Sequence, residues 1–154
     1  MNDITDKNLK HLKHAIFIAN NYSKDRGTKV GALIVNNENS CLTWGYNGFP
    51  RGINDEIEER HERPTKYDWS EHAERNAIYN AAREGIRLKD SIMYVSSLPT
   101  CVDCARGIIQ SGIRKVYMEV YLDKENIQPQ WKEKFELVKE MFDEAGIEYF
   151  FVKI

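Results

Sequence analysis

Two of the chain's three cysteines, Cys101 and Cys104, stand three residues apart in the stretch SLPTCVDCARG. At the start of a helix that spacing puts both sulfurs on one face. The free N–H groups and dipole of a helix start favour the thiolate, the form that binds metal. Alone, a Cys-x-x-Cys reads equally as a redox pair, half of a structural zinc site or a coincidence. A four-cysteine site is excluded within one chain, because only Cys41 remains, and Cys41 alternates into a strand as a core position. The stretch EHAE at residues 71–74 changes the weighting. Read by itself it is a solvated helix terminus whose carboxylates pair with the dipole. Beside the cysteines, His72 supplies a nitrogen ligand and Glu74 follows two residues on. One histidine and two cysteines leave the fourth zinc position open, which is the pattern of a catalytic ion rather than a structural one. Glu74 is then available to take a proton from zinc-bound water. A non-catalytic zinc-stabilised domain would need a fourth protein ligand, His61 or Cys41.

This chemistry requires two helix starts to meet, so the surrounding elements matter. Residues 5–22 have Leu9, Leu12, Ile16 and Ala19 at helical spacing, with Thr5 or Asp6 as the cap. KVGALIVN (29–36) and CLTWGY (41–46), separated by NNENS, read as an antiparallel hairpin. Residues 47–70 form a long stretch rich in glycine, proline and charge, and a loop of that length in a compact domain is often functional. Ser70 is positioned to cap the helix EHAERNAIYNAAREG, which ends at Gly85. SIMYVSS (91–97) is a strand, CVDCARGIIQSG a helix ending at Gly112, and RKVYMEVY (114–121) a strand. Residues 130–145 are helical with Phe135, Val138 and Phe142 on one face, and EYFFVKI (148–154) is the last strand. The order predicts a three-layer α/β/α domain over residues 1–154, with a five-stranded mixed sheet and the hairpin as its antiparallel edge. Ligands of such sheets sit at the carboxyl ends of strands, where helices begin. Both candidate clusters lie at helix starts.

Composition narrows the class. The 154 residues suit one domain, and 42% hydrophobic content is enough for a core. Twenty-two basic against 24 acidic side chains give a net charge of −2, which argues against a protein that coats nucleic acid or a membrane surface. No apolar run approaches the roughly 18–20 residues of a membrane span. The N-terminal AIFIA is too short for a signal-peptide core, and an odd number of cysteines fits a reducing compartment. A cytoplasmic location with no membrane partner is the expectation.

HAE followed by a Cys-x-x-Cys helix is similar to the zinc-dependent cytidine deaminase superfamily. SKDRGTKVGALIVN, WGYNGFPRG, HAERNAI and CVDCARGIIQSGIRKVY, between Ser23 and Tyr117, resemble its deoxycytidylate (dCMP) deaminase branch. The resemblance implies a cytidine-deaminase-like fold and one catalytic Zn2+ held by His72, Cys101 and Cys104. It implies Glu74 as proton shuttle, with hydroxide attacking C4 of the pyrimidine. The reaction implied is hydrolysis of a pyrimidine nucleotide, dCMP to dUMP and ammonia first, with CMP, dCTP and 5-substituted dCMP as open alternatives. Asn47 and Ala73 would contact substrate, and Lys24, Arg26 and Lys29 its phosphate, with Arg51 and Lys66 beside them. Each of these basic residues alone reads as a solvated charge, and Asn47 before Gly48 as a turn residue. Relatives suggest a homo-oligomer, hexamer or dimer, and dCTP and dTTP as possible regulators.

The chain also departs from that pattern. Pro99 stands one place early, leaving Thr100 before Cys101, where its hydroxyl is expected to bond a free N–H of the following helix. Arg75 occupies a position where the dCMP deaminases usually have an apolar residue, and could reach a phosphate, a neighbouring subunit or solvent. The long loop has His61 but no cysteine, so a second, structural zinc is not expected. Phe49, Tyr67 and Trp69 suit an interface or a lid over the base. A tRNA-type nucleic-acid deaminase shares the zinc pattern. Against it, the last helix mixes Lys132, Lys134 and Lys139 with Glu133, Glu136, Glu140, Asp143 and Glu144, poor dress for phosphate neutralisation.

Overall fold

The computed structural model describes residues 4–120 and 129–154, with the side chains of the last segment from residue 132 onward. Helix α1 (Asp6–Tyr22) is capped by Thr5, whose hydroxyl accepts from the Asn8 N–H at 3.3 Å. Strands β1 (Gly31–Val35) and β2 (Cys41–Tyr46) form the hairpin, and β2 is the sheet edge. Between it and α3 (Ala73–Glu84) lie a 3-10 turn at Glu58–His61 and a one-turn helix α2 (Lys66–Trp69). β3 (Ile92–Val95), α4 (Val102–Ser111), β4 (Lys115–Glu119), α5 (Pro129–Ala145) and β5 (Glu148–Val152) complete the chain. The expected last residue of β4's strand, Tyr121, lies outside the described residues.

The five strands run in the order β2-β1-β3-β4-β5. β1 is antiparallel to both β2 and β3, and β3, β4 and β5 are parallel. This is the predicted mixed sheet with an antiparallel edge. Successive residues of a strand point to opposite faces, and β1 is buried on both. Ala32 and Ile34 pack with Ala77 of α3, Ile108 of α4 and Phe142 of α5. Leu33 and Val35 pack on the other face with Leu12, Ala15 and Ile18 of α1. No helix of the described residues is long and apolar enough to cross a membrane.

Two glycines set how closely the helices approach. A Cβ at Gly31 would stand 2.2 Å from the Ala15 carbonyl oxygen, and one at Gly45 2.4 Å from the Ala77 nitrogen and 2.6 Å from the Ala73 oxygen. The α3 backbone therefore rests directly on β2. Asn76 and Asn80 of α3 fasten it there, donating from Nδ2 to the Tyr46 and Trp44 carbonyls at 2.8 and 2.7 Å.

Two local expectations are corrected. The α3 helix begins at Ala73 with His72 as its N-cap, and Ser70 instead ends α2 by donating its N–H to the Lys66 carbonyl. The cause is a pair of backbone bonds between Gly48 and Glu71, at 2.8 and 3.1 Å, which keeps residue 71 extended. Cys41 is exposed rather than core, because it opens the edge strand opposite Val35, where the ladder register shifts.

Candidate metal centre and active-site cleft

His72 precedes α3 and Cys101 precedes α4, so both ligand-bearing segments open at the carboxyl ends of strands on one side of the sheet. Cys101 is the N-cap of α4, and its sulfur accepts the Cys104 N–H at 3.5 Å. The His72 Nδ1 lies 3.4 Å from the Cys101 Sγ and 3.5 Å from the Cys104 Sγ. An ion with Zn–N of about 2.0–2.1 Å and Zn–S of about 2.3 Å in tetrahedral geometry needs N···S separations near 3.6 Å. The three donors fit that ion, and among the described residues they are the one cluster of this kind.

The charges agree with the geometry. The Cys101 thiol is pulled down to about 4, first by the hydrogen bond from Cys104 and, against the opposing effect of burial, by His72 beside it. The same hydrogen bond, with burial, pushes the Cys104 thiol up. Its hydrogen bond to Cys101 raises His72 above the usual imidazole range. Glu74 is 4% exposed, and burial pushes its carboxyl up from the ordinary carboxylate range. A carboxyl so placed holds a proton more readily than one in water.

Above the cluster is a cleft of about 210 Å³. It is lined by His72, Ala73, Glu74 and Cys101 from the starts of α3 and α4, here termed its floor, by Asn47, Thr28, Val30, Leu98 and Pro99, and by Arg63, Lys66 and Tyr67 from the long segment before α3, here termed its rim. The Asn47 Oδ1 accepts from the Ser23 hydroxyl at 2.6 Å and the Val30 N–H at 2.8 Å. One Nδ2 hydrogen goes to the Thr28 carbonyl at 2.7 Å, which leaves the other to donate.

The basic residues singled out in the sequence divide. Lys24 pairs with Asp55 at 2.6 Å and Arg26 with Glu58 at 2.5 Å, beside a smaller hollow that also touches Phe49 and His61. Lys29 and Arg51 are exposed and line neither. Lys66 lines the main cleft and pairs with Asp25 at 2.9 Å. Tyr67, which the sequence offers as an interface or lid residue, lines the cleft, whereas no spacing distinguishes Arg63, which lies in the irregular segment. Among the described residues Arg63 has no carboxylate partner, and its guanidinium faces the Tyr67 ring at 5.9 Å. His61 bonds the Asp55 carbonyl at 2.5 Å and stacks on Phe49. Trp69 lies under the Arg60 guanidinium at 3.9 Å.

The expected cap at Thr100 is also corrected. Its hydroxyl is buried with no partner among the described residues, and its N–H points to the Met118 sulfur at 3.5 Å. The Cys101 sulfur, and not the Thr100 hydroxyl, takes the capping role at the start of α4.

Comparison with known proteins agrees with this arrangement. The sequence profile described as "cytidine and deoxycytidylate deaminase zinc-binding region" matches residues 5–120. An uncharacterized deaminase of the luxG 3′ region of Aliivibrio fischeri is 38% identical over 131 residues, 85% of this chain and 84% of that protein. Human deoxycytidylate deaminase is 41% identical over 105 residues, 65% of this chain but only 57% of the human protein. The crystal structure of dCMP deaminase from cyanophage S-TIM5 with dCMP and dUMP matches at TM-score 0.72 and 25% identity, covering 97% of this chain and 99% of that one. With the zinc-type donors converging in the matched region, the chain belongs to the cytidine and deoxycytidylate deaminase family.

Proposed function

We propose that the chain hydrolyses the amino group from a free pyrimidine nucleotide, dCMP to dUMP and ammonia, in this cleft. The observation that carries the reading is that His72, Cys101 and Cys104 converge as zinc-type donors while His72, Cys101 and the buried Glu74 line one cleft. The family relationship supports pyrimidine deamination, and the likeness to a phage dCMP deaminase crystallised with dCMP and dUMP supports the monophosphate. The His72 Nδ1 and the two sulfurs would hold a zinc ion, which would supply Lewis-acid activation of a water molecule. Glu74 does the proton work. Its carboxylate accepts a proton from the attacking water and delivers it to N3 of the ring. It then takes the proton of the new C4 hydroxyl and passes it to the exocyclic amine, so that the C4–N bond breaks, the C4 carbonyl forms and ammonia leaves. Burial of Glu74 favours its protonated form, so the proton can be held between transfers.

The remaining lining residues have simpler parts. Ala73 lines the floor with only a methyl group, leaving width for a flat base. The unspent Nδ2 hydrogen of Asn47 suits a sugar hydroxyl. Arg63 and Lys66 are the cations of the cleft rim, and Arg63 is the better phosphate ligand because no carboxylate of the described residues competes for it.

The test is ultraviolet-monitored deamination by zinc-loaded protein over dCMP, CMP, dCTP, 5-methyl-dCMP and deoxycytidine. We expect dCMP to turn over and deoxycytidine to do so poorly. Glu74→Gln should lower kcat by about 10²- to 10⁴-fold with zinc content unchanged. Equal turnover of deoxycytidine would remove the nucleotide reading, and no turnover of any member with stoichiometric zinc would overturn the free-nucleotide assignment.

A further inference from the structure

Arg75 follows Glu74 directly, and the chemistry above makes no use of it. Its Nε donates to the Glu71 Oε1 at 2.7 Å, and one terminal nitrogen lies 2.5 Å from the same oxygen. That oxygen also accepts the backbone N–H of His72 at 2.9 Å. The other terminal nitrogen reaches toward Asp103, 3.8 Å away, and Asp103 is itself paired with Arg106 one turn on. Asp103 lies between the two cysteines, in the first turn of α4. The stem of Arg75 passes Gly107, where an added Cβ would stand 3.7 Å from its Cγ. One side chain thus runs from the carboxylate that holds the His72 N–H, just before α3, to the neighbour of Cys104, on α4.

The span matters because the metal donors come from two helices. The His72 nitrogen and the two sulfurs keep their 3.4–3.5 Å separations only if α3 and α4 keep theirs. A planar guanidinium, hydrogen-bonded to Glu71 at one end and within ion-pair reach of Asp103 at the other, restrains that distance better than a flexible ammonium does. Repulsion between a guanidinium and a dication would act the other way, but the carboxylates of Glu71 and Asp103 flank Arg75 and offset its charge. Geometry is what remains.

We propose that Arg75 is a positioning residue of the metal centre, tying Glu71 and, through it, the His72 backbone just before α3 to Asp103 on α4 so that the three donors stand at the spacing zinc needs. The inference rests on the zinc reading of the site given above.

The test uses the full chain and measures the zinc dissociation constant by competition with a chromophoric chelator. It is run at a temperature where circular dichroism shows each metal-free protein folded. Arg75→Met should weaken zinc binding by about 10- to 100-fold, the range for groups that orient metal ligands. Arg75→Lys, which keeps the charge and loses the fork, should resemble Arg75→Met more than the unaltered protein. Asp103→Asn, a change at an exposed side chain, should weaken zinc in the same direction and less. In cobalt-loaded protein the thiolate-to-cobalt absorption should shift with Arg75→Met. A role in packing alone would lower the melting temperature of the metal-free protein and leave zinc affinity where it was. Affinity within about twofold of the unaltered protein in Arg75→Met or in Asp103→Asn overturns the inference, as does full recovery in Arg75→Lys. Failure of the unaltered protein to bind zinc would instead overturn the reading of the site, and this inference with it.

Discussion

The floor of the cleft stands on α3 and α4, whose inner residues Ala73, Ala77, Ala81, Ala105 and Ile108 are buried in the core. None of residues 49–71, which build much of the rim, is buried. Those rim residues are instead tied to the body by charge: Lys24 to Asp55, Arg26 to Glu58 and Lys66 to Asp25. Apolar burial is additive and insensitive to pH, and close packing makes it intolerant of added volume. Exposed ion pairs contribute between nothing and about 1 kcal/mol each, so two of these three ties are weak. The Lys66–Asp25 pair differs, with side chains 14% and 10% exposed. Substitutions that add volume should therefore be felt at the floor, and those that remove charge at this one point of the rim.

Gly45→Ala should have the largest effect. The new methyl would stand 2.4 Å from one α3 backbone nitrogen, and neither β2 nor α3 can yield without moving the other. We expect a loss of about 3 kcal/mol in urea unfolding, at the upper end for overpacking, with deaminase activity falling further because His72 and Glu74 move with α3. A loss under about 1 kcal/mol would show that the floor is less rigid than its contacts indicate.

Asp25→Asn addresses the rim. Burial by itself would raise the Asp25 pKa, but the Lys66 ammonium and the N–H groups of Gly27 and Thr28 outweigh it and hold the carboxyl below its usual value. A depressed carboxyl contributes stability above its unfolded pKa of about 3.9 and loses it as pH falls through the lower folded value. Removing one partner of a largely buried pair costs about 3 kcal/mol. The stability gap between the unaltered protein and Asp25→Asn should then be constant above about pH 5 and close as the solution is acidified below about pH 4. A gap unchanged by acid would mean that packing, and not the ion pair, holds the rim here.

The same contrast decides what could be read from the sequence. The strands, the two ligand-bearing helices and the caps at Thr5, Gly85 and Gly112 follow from periodicity and short-range bonds, which a linear pattern records. The rim does not. Lys24, Arg26 and Lys66 meet their carboxylates 31, 32 and 41 residues away in the chain, and no spacing announces such a pairing. Ser70 has the chemistry of a helix cap, but the bridge from Glu71 to Gly48 withholds the helix until Ala73. Cys41 has the alternation of a core residue, and only the sheet order reveals that its strand is an edge. Arg63 carries no pattern, because its place in the cleft depends on an irregular segment.

Gly107→Ala gives the smallest expected change and sharpens the floor against itself. Gly107 lies inside α4, as Gly45 lies under α3, yet the two glycines serve different ends. A Cβ at Gly107 would meet the Ile78 Cδ1 at 3.6 Å and the Arg75 Cγ at 3.7 Å, which is ordinary contact with the ends and stems of side chains, not backbone. Nothing in the backbone there calls for glycine, and glycine inside a helix costs about 0.5–1 kcal/mol relative to alanine. Alanine should therefore stabilise the protein by about that amount in urea unfolding and leave zinc affinity unchanged. Destabilisation instead would mean that the Arg75 stem needs the empty space over α4, and that the floor is as closely fitted between its helices as it is against the sheet.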